Sequence, residues 1–354
     1  MKFSICIPNY NYAKYIGRTV QSVLDQDYGD FEIIVSDNCS TDDSWDVIQQ
    51  IQDPRIKAYR NRCNVGFAAN LDRAARRASG EFLIMLSSDD VMRPGALRAY
   101  DNLASQLGAI APRCVWSGVV EVIDPDDRPL ELSGMLRSIW TASDRDPGFD
   151  AVVGGPVYSL PGRELLRRSI SQMKNPLPFA ATCYSRELYE EVEGYGGGRL
   201  INPDRWFNWK LFAAAERVFF VERPLFGYRW HPNNQSAQQS LNGALKFQVD
   251  EYVSTLELDA ELLAEIGLSR ERVIASFVEY DIARNGLSTL GKGFRPRARR
   301  ILNFGKSVYP SAVGRNPKAW ALRFLLALGP IGTAIARLAY RRYAATSQDY
   351  LDKW

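Results

Sequence analysis

EFLIMLSSDD, Glu81 to Asp90, is the stretch that decides the fold. Phe82 to Leu86 is an apolar run of strand length that stops abruptly at two serines and two aspartates. Such a run, bounded by polar residues, is the pattern of a strand covered on both faces. Adjacent carboxylates at the end of a buried strand repel each other unless a cation or a proton compensates. Hard divalent ions take oxygen ligands, commonly one or two carboxylates together with substrate phosphates. The other reading of the pair is that Asp89 caps the helical pattern MRPGALRAY and Asp90 is solvated.

The same shape recurs upstream. FSICIP (Phe3 to Pro8), EIIVS (Glu32 to Ser36) and IKAYR (Ile56 to Arg60) are strand-like, and each is followed by a polar cluster: NYNYAKY, DNCSTDD and NRCNVGF. Between them, Ile16, Val20, Val23 and Leu24 recur at helical spacing, as do Leu71, Ala74, Ala75 and Ala78. This βαβα alternation predicts a Rossmann-like, mostly parallel sheet with flanking helices. Open sheets of that kind bind ligands beyond the carboxyl ends of their strands, where the polar clusters fall.

Further on, CVWSGVVEVI (Cys114 to Ile123) reads as a strand, Pro125 to Asp127 as a turn, and RELLRRSI and SRELYEEV as helices. Gly194 to Gly198 reads as a glycine-rich loop. Asn202 is the expected N-cap of a helix DRWFNWKLFAAAE, with Pro203 at its first position. RVFFVE is strand-like, PLFGYRWHPNNQS reads as a loop, and the chain from about Leu241 is mostly helical.

Composition sets the outer limits. With 354 residues, 46% of them hydrophobic, the chain buries a sizeable core and is not disordered. Five widely spaced cysteines with no C-x-x-C pair suit a reducing compartment rather than zinc or disulfide chemistry. The apolar run that follows Met1-Lys2 ends at Pro8, too short for a signal-peptide core or a span, so the chain is expected to stay inside the cell.

Four segments taken in order, SICIPNYNYAKYI, EIIVSDNCSTDDS, NVGFAANLDRAARRASGEFLIMLSSDD and NPDRWFNWKL, resemble the inverting glycosyltransferases of family 2, which have the GT-A fold. The resemblance covers about residues 1–235, implying a GT-A domain over 1–240 and a helical, basic region over 241–354. It implies a nucleoside-diphosphate sugar donor, with UDP first and GDP or dTDP as alternatives. Pro8, Tyr10 and Asn11 match the lining of the base pocket, and Asp37 matches the residue on the base edge. Asn64, Gly66 and Asn70 match the segment beside ribose and diphosphate. Ser88 and Asp89 fall on the donor side of the carboxylate motif, and Asp89 and Asp90 would hold Mn²⁺ or Mg²⁺. Ser87 stands where the family has its first acid. Asp204 matches the second acid of the family's E-D motif, the catalytic base, and Pro203 replaces its neighbour. Arg229 and the single histidine, His231, match the R-x-H loop that closes over the diphosphate, His231 as a further metal ligand. Asn234 and Gln235 are expected loop contacts, and Trp206 and Trp209 packing or acceptor-side aromatics.

The last part of the chain has its own chemistry. From Ile282 to Gln348 there are thirteen Lys and Arg and no Asp or Glu. Ala319 to Tyr340 is apolar, but Arg323, Arg337 and a Gly329-Pro330 break leave it too short to span a bilayer. Two short amphipathic helices on an anionic membrane surface are expected, at the cytoplasmic face of the cell membrane. The competing reading packs the pair on protein. The membrane reading suits a saccharide acceptor carried on a polyprenyl lipid. With no binding module beside the charge, nucleic acid is not the expected partner.

Overall fold

The computed structural model describes residues 2–133, 136–196, 200–231, 234 and 244–346. Gly197, Gly198 and Gln235 of the expected loops lie outside them. The chain divides into two compact units, residues 1–165 with 175–231, and residues 166–174 with 232–354.

The first unit grows from three buried strands, β1 (Phe3–Asn9), β2 (Phe31–Asp37) and β4 (Phe82–Met85). They are parallel, with Phe3 opposite both Phe31 and Phe82, and β3 (Ile56–Arg60) extends the sheet at the edge. Asn9 lies opposite Asp37, so β1 and β2 end level, while β4 ends at Met85 opposite Cys6, with the Leu86 N–H donating to the Cys6 carbonyl. The polar clusters after them therefore open on one edge. The helix α1 (Ala13–Leu24) buries Ile16, Val20 and Val23, and α3 (Phe67–Ala75) buries Leu71, Ala74 and Ala75. Each row repeats every three to four residues, as a face laid on a sheet must.

Beyond β4 the sheet turns mixed. Its order is β3-β2-β1-β4-β9-β6-β10-β5, where β9 (Cys183–Ser185) runs antiparallel between β4 and β6 (Cys114–Ile123). β10 (Arg217–Arg229) runs parallel to β6 and antiparallel to β5 (Val91–Met92). Side strands β7 (Pro129–Ser133) and β8 (Val157–Pro161) pair with β6 and β10. The first part of the expected loop, Pro224 to Arg229, is thus the second half of a strand. Two bulges, between Val221 and Phe226, absorb the Pro-containing stretch, so thirteen residues of β10 lie opposite ten of β6. α8 (Asp204–Ala214) begins at Asp204 with Pro203 in the N-cap position, not Asn202. Trp209 is buried as packing.

The second unit is helical over its described residues. It includes α9 (Ala244–Leu256), α12 (Asn285–Gly291), α13 (Arg295–Val308), α15 (Pro317–Ala327) and α16 (Pro330–Thr346). Glycines set its closest approaches. A Cβ on Gly332 would lie 1.9 Å from the Leu325 carbonyl oxygen, and one on Gly286 would lie 2.3 Å from Leu322. Among the described residues, no helix is long and apolar enough to cross a membrane.

Candidate active site

Ser87 to Asp90 leave the end of β4 and are held by two neighbours. The Thr19 hydroxyl of α1 lies 2.9 Å from the Ser88 carbonyl and 2.7 Å from that of Asp90. The Arg229 backbone N–H, at the end of β10, donates to Asp90 Oδ1 at 2.9 Å. Asp90 is buried, and burial followed by the Asp89 carboxylate pushes it well above the usual carboxylate range. The Ser87 side chain, in the place of an acid, favours the ionised form of Asp90. Asp89 Oδ2 faces His231 Nε2 at 3.2 Å, and the Tyr15 ring lies 4.7 Å from the imidazole.

Arg229 does not face this space. Its guanidinium is fully buried: Nε donates to the Asp89 carbonyl, Nη1 to the Asp124 and Pro125 carbonyls, and Nη2 pairs with Asp127 at 2.5 Å. The guanidinium Cζ lies 5.1 Å from the centre of the Tyr15 ring. Arg229 thus ties β10 to the turn after β6 and to the acidic loop, a correction to the phosphate role expected for it. Five fixed donors on a planar group suit this bundling of carbonyls.

The donor-side residues lie on the adjoining strand ends. Tyr10 is exposed, and Pro8 is buried within β1. Asn11 adopts φ 61°, and its Oδ1 accepts from the Thr41 N–H at 2.8 Å. Asp37 is buried, and its oxygens accept from Asn9 Nδ2, the Ser40 hydroxyl and the Ser40 N–H, with Arg60 Nε at 3.4 Å. It organises the loop that frames this end of the sheet. Asn38 joins that loop to the next through Asn64 Oδ1 at 2.9 Å and the Gly66 carbonyl at 3.2 Å. Gly66 has φ 85° and ψ 166°, a conformation that only glycine adopts readily. Asn70 is turned inward: its Oδ1 accepts from Ser36 and Asn61, and its Nδ2 donates to the Ser36 carbonyl. That corrects its expected contact with the donor, because both halves of its amide are engaged inside the fold. Ser88 is buried, and its carbonyl is the acceptor for Thr19.

Asp204 opens α8 beside a small pocket lined by Phe179, Tyr184, Tyr195 and Phe207. Its Oδ1 is buried without a hydrogen-bond partner, and burial pushes the carboxyl up to about 6. Pro203, in the N-cap position, makes no side-chain cap bond, and Asp204 follows it in the first turn, where the helix dipole also favours a carboxylate. The aromatic wall is itself braced. Tyr195 stacks on Phe207 at 3.9 Å and shares a hydrogen bond with the Tyr184 hydroxyl, while Asp72 accepts from the Tyr195 N–H and the Tyr189 hydroxyl.

The family model for glycosyl transferase family 2 matches residues 4–113. An uncharacterized glycosyltransferase, alr2836, of Nostoc sp. is 32% identical over 298 residues, covering 76% of this chain and 80% of that protein. The chain belongs to glycosyltransferase family 2. A glucosyltransferase of Escherichia coli, WfaP, whose name gives UDP-Glc as donor and an α-D-GlcNAc-diphosphoundecaprenol as acceptor, is 42% identical over 87 residues, 25% of this chain and 35% of that one. The crystal structure of Staphylococcus aureus TarS 1-349 with UDP-GlcNAc superposes with a TM-score of 0.59 at 18% identity, covering 97% of this chain and 92% of that one. That likeness is one of fold, the GT-A fold.

For this family 2 glycosyltransferase, the residues suited to a divalent cation are Asp89, with Asp90 and His231 beside it. Among the described residues, no three acidic, Cys or His side chains converge as a complete metal-holding group. Asp90 Oδ1 accepts from the Arg229 N–H. The partial set still fits a cation that is shared with phosphates. The 3.2 Å between Asp89 and His231 is close to the ~3 Å edge of an octahedron with ~2.1 Å bonds. A cation here would also relieve the burial and repulsion that raise Asp90. Thr19, Asp127, Tyr15 and Asp72 were not singled out from sequence, since each is an ordinary helix or turn residue until the fold brings it to the site. Asn234 is buried.

Proposed function

We propose that this glycosyltransferase moves a sugar, with inversion, from a nucleoside diphosphate to a hydroxyl of a saccharide acceptor. One observation carries the reading: Asp204 is a half-buried carboxylate whose Oδ1 is buried without a hydrogen-bond partner, pushed up to about 6 beside an aromatic pocket. A base poised near the working pH removes a proton most effectively. The acceptor oxygen forms the new bond at the anomeric carbon while the bond to the diphosphate breaks. The nucleotide leaves with the electron pair, and Asp204 takes the hydroxyl proton. Mg²⁺ or Mn²⁺, when bound, supplies positive charge to the diphosphate. Asp89, with Asp90 and His231 beside it, would hold that ion, and the glycine at position 66 admits a close backbone approach beside the donor.

UDP is the favoured nucleotide, supported by the UDP-sugars in the names of WfaP and the TarS structure. A polyprenyl-linked saccharide at the cytoplasmic face of the cell membrane is the favoured acceptor, in surface polysaccharide or glycolipid assembly. The WfaP acceptor and the basic C-terminal stretch support that choice. The test is transfer from UDP-sugars to a synthetic polyprenyl-diphosphate saccharide with Mn²⁺. Wild type should turn over, and Asp204→Asn should bind UDP without turnover. Tight UDP binding by wild type with no transfer and no donor hydrolysis would instead make the chain a nucleotide-sugar-binding scaffold.

A further inference from the structure

The C-terminal unit wears its large apolar side chains on the outside. In α15, the small inward face is Ala319, Leu322 and Leu326, while Trp320 and Phe324 are 55% and 63% exposed. In α16, Gly332 and Ala336 are buried, whereas Ile331 and Leu338 are 68% and 57% exposed. Ile335, also exposed, completes an i, i+4, i+7 row with them. A soluble surface helix has the opposite polarity. The hairpin is nevertheless firmly seated, since the missing side chain of Gly332 lets its two helices touch.

Next to this face stands a cluster of basic side chains within a stretch that contains no acids. Arg295, Arg297, Arg299 and Arg300 crowd the first turns of α13, whose amino end already carries the positive end of the helix dipole. No acid occurs between Ile282 and Gln348. Arg295 Nη2 donates to the Leu326 carbonyl at the end of α15, which fixes the basic turn against the hairpin. Partial desolvation and a like-charged neighbour lower both Lys292 and Arg297 from their ordinary values. Phe294, between them, is exposed.

We infer that α15, α16 and the basic turn before α13 form a dock for an anionic lipid bilayer, with both helices lying in the headgroup layer. This deepens the membrane placement proposed above, and rests on that reading only for its purpose. The exposed aromatic and aliphatic row enters the acyl boundary, and the arginines meet lipid phosphates. A second copy of the chain is the poorer occupant, because it would bring one basic face against another. Nucleic acid would meet the charge and leave the apolar row in water.

The test is co-sedimentation of the full chain with vesicles of phosphatidylcholine alone, or of phosphatidylcholine mixed with phosphatidylglycerol. Binding should require the anionic lipid and weaken with salt. The triple variants Phe324→Ser/Ile331→Ser/Leu338→Ser and Arg297→Gln/Arg299→Gln/Arg300→Gln should each weaken binding by about tenfold or more. Both should keep wild-type circular dichroism and UDP binding. No binding to mixed vesicles, or equal binding to both compositions, overturns the dock. So does self-association of wild type that the apolar triple variant abolishes. Vesicle results leave the transfer reading untouched, and absence of transfer with vesicle binding intact leaves the dock standing.

Discussion

Replacing Asp204 with asparagine should make the folded protein more stable at pH 8 while removing its activity. The unfolded carboxyl ionises near 3.8, whereas the folded one holds its proton to about 6. Between those values the native state binds more protons than the unfolded chain. Stability therefore falls as pH climbs through this window and stays lowered above it. A shift of roughly 2 units, at about 1.36 kcal/mol each, amounts to about 3 kcal/mol, and partial solvent contact brings this to between about 1 and 3. Asparagine carries no charge and avoids that penalty. Urea unfolding followed by tryptophan fluorescence should show the variant ahead of wild type at pH 8, with the gain vanishing near pH 4. Transfer should meanwhile drop by about 10² to 10⁴, with the UDP dissociation constant unchanged. A variant no more stable than wild type at pH 8, with the same difference at pH 4, would mean that partners hold the carboxylate, and the argument for a poised base would fail.

Other substitutions probe the remaining parts of the site. Asp90→Asn should raise the melting temperature of the metal-free protein, because it removes a buried charge beside Asp89, and should abolish Mn²⁺-dependent stabilisation by UDP in a thermal-shift titration. Arg229→Met should destabilise the chain by about 1 to 3 kcal/mol in urea, because the Asp89, Asp124 and Pro125 carbonyls lose their donor. Unchanged stability with weakened diphosphate binding would restore the phosphate role to Arg229. Gly66→Ala and Gly66→Asn should both cost about 1 to 3 kcal/mol and weaken UDP binding, the strain lying in the backbone, since an added Cβ meets nothing within 4 Å. If either folds and binds as wild type does, glycine is not required there.

The parallel half of the sheet was legible because its strands are unbroken apolar runs closed by polar clusters, a pattern with one good structural reading. β9 was not, since three residues of antiparallel strand between β4 and β6 carry no periodicity. The far half of β10 was lost to Pro224 and Gly227, which read as turn residues until bulges beside β6 accommodate them. The resemblance pointed to Asp89, Asp90 and His231, which the fold brings together, and to Asp204 at the start of α8, but a motif names positions and not directions. Arg229 and Asn70 match it and point into the protein, and which way a side chain turns depends on partners such as Asp127, Ser36 and Asn61 that lie far along the chain. The isolation of Asp204 was equally out of reach, because it depends on a wall formed by Phe179, Tyr184, Tyr195 and Phe207.

The extra residues of β10 act as a ruler. At the end of β10 and just beyond it, side chains alternate, with Arg229 and His231 buried and Trp230 41% exposed. A strand repeats every two residues, so deleting one residue from either bulge would exchange those faces. The guanidinium and imidazole would then point to solvent, and an indole would be driven against the acidic pair. The hydrogen-bonded ladder could re-form almost unchanged, so a chain damaged in this way would keep its secondary structure. A family member with a different bulge length must therefore find its histidine at a different offset, and alignments that slide a gap freely through Val221 to Phe226 will misassign it.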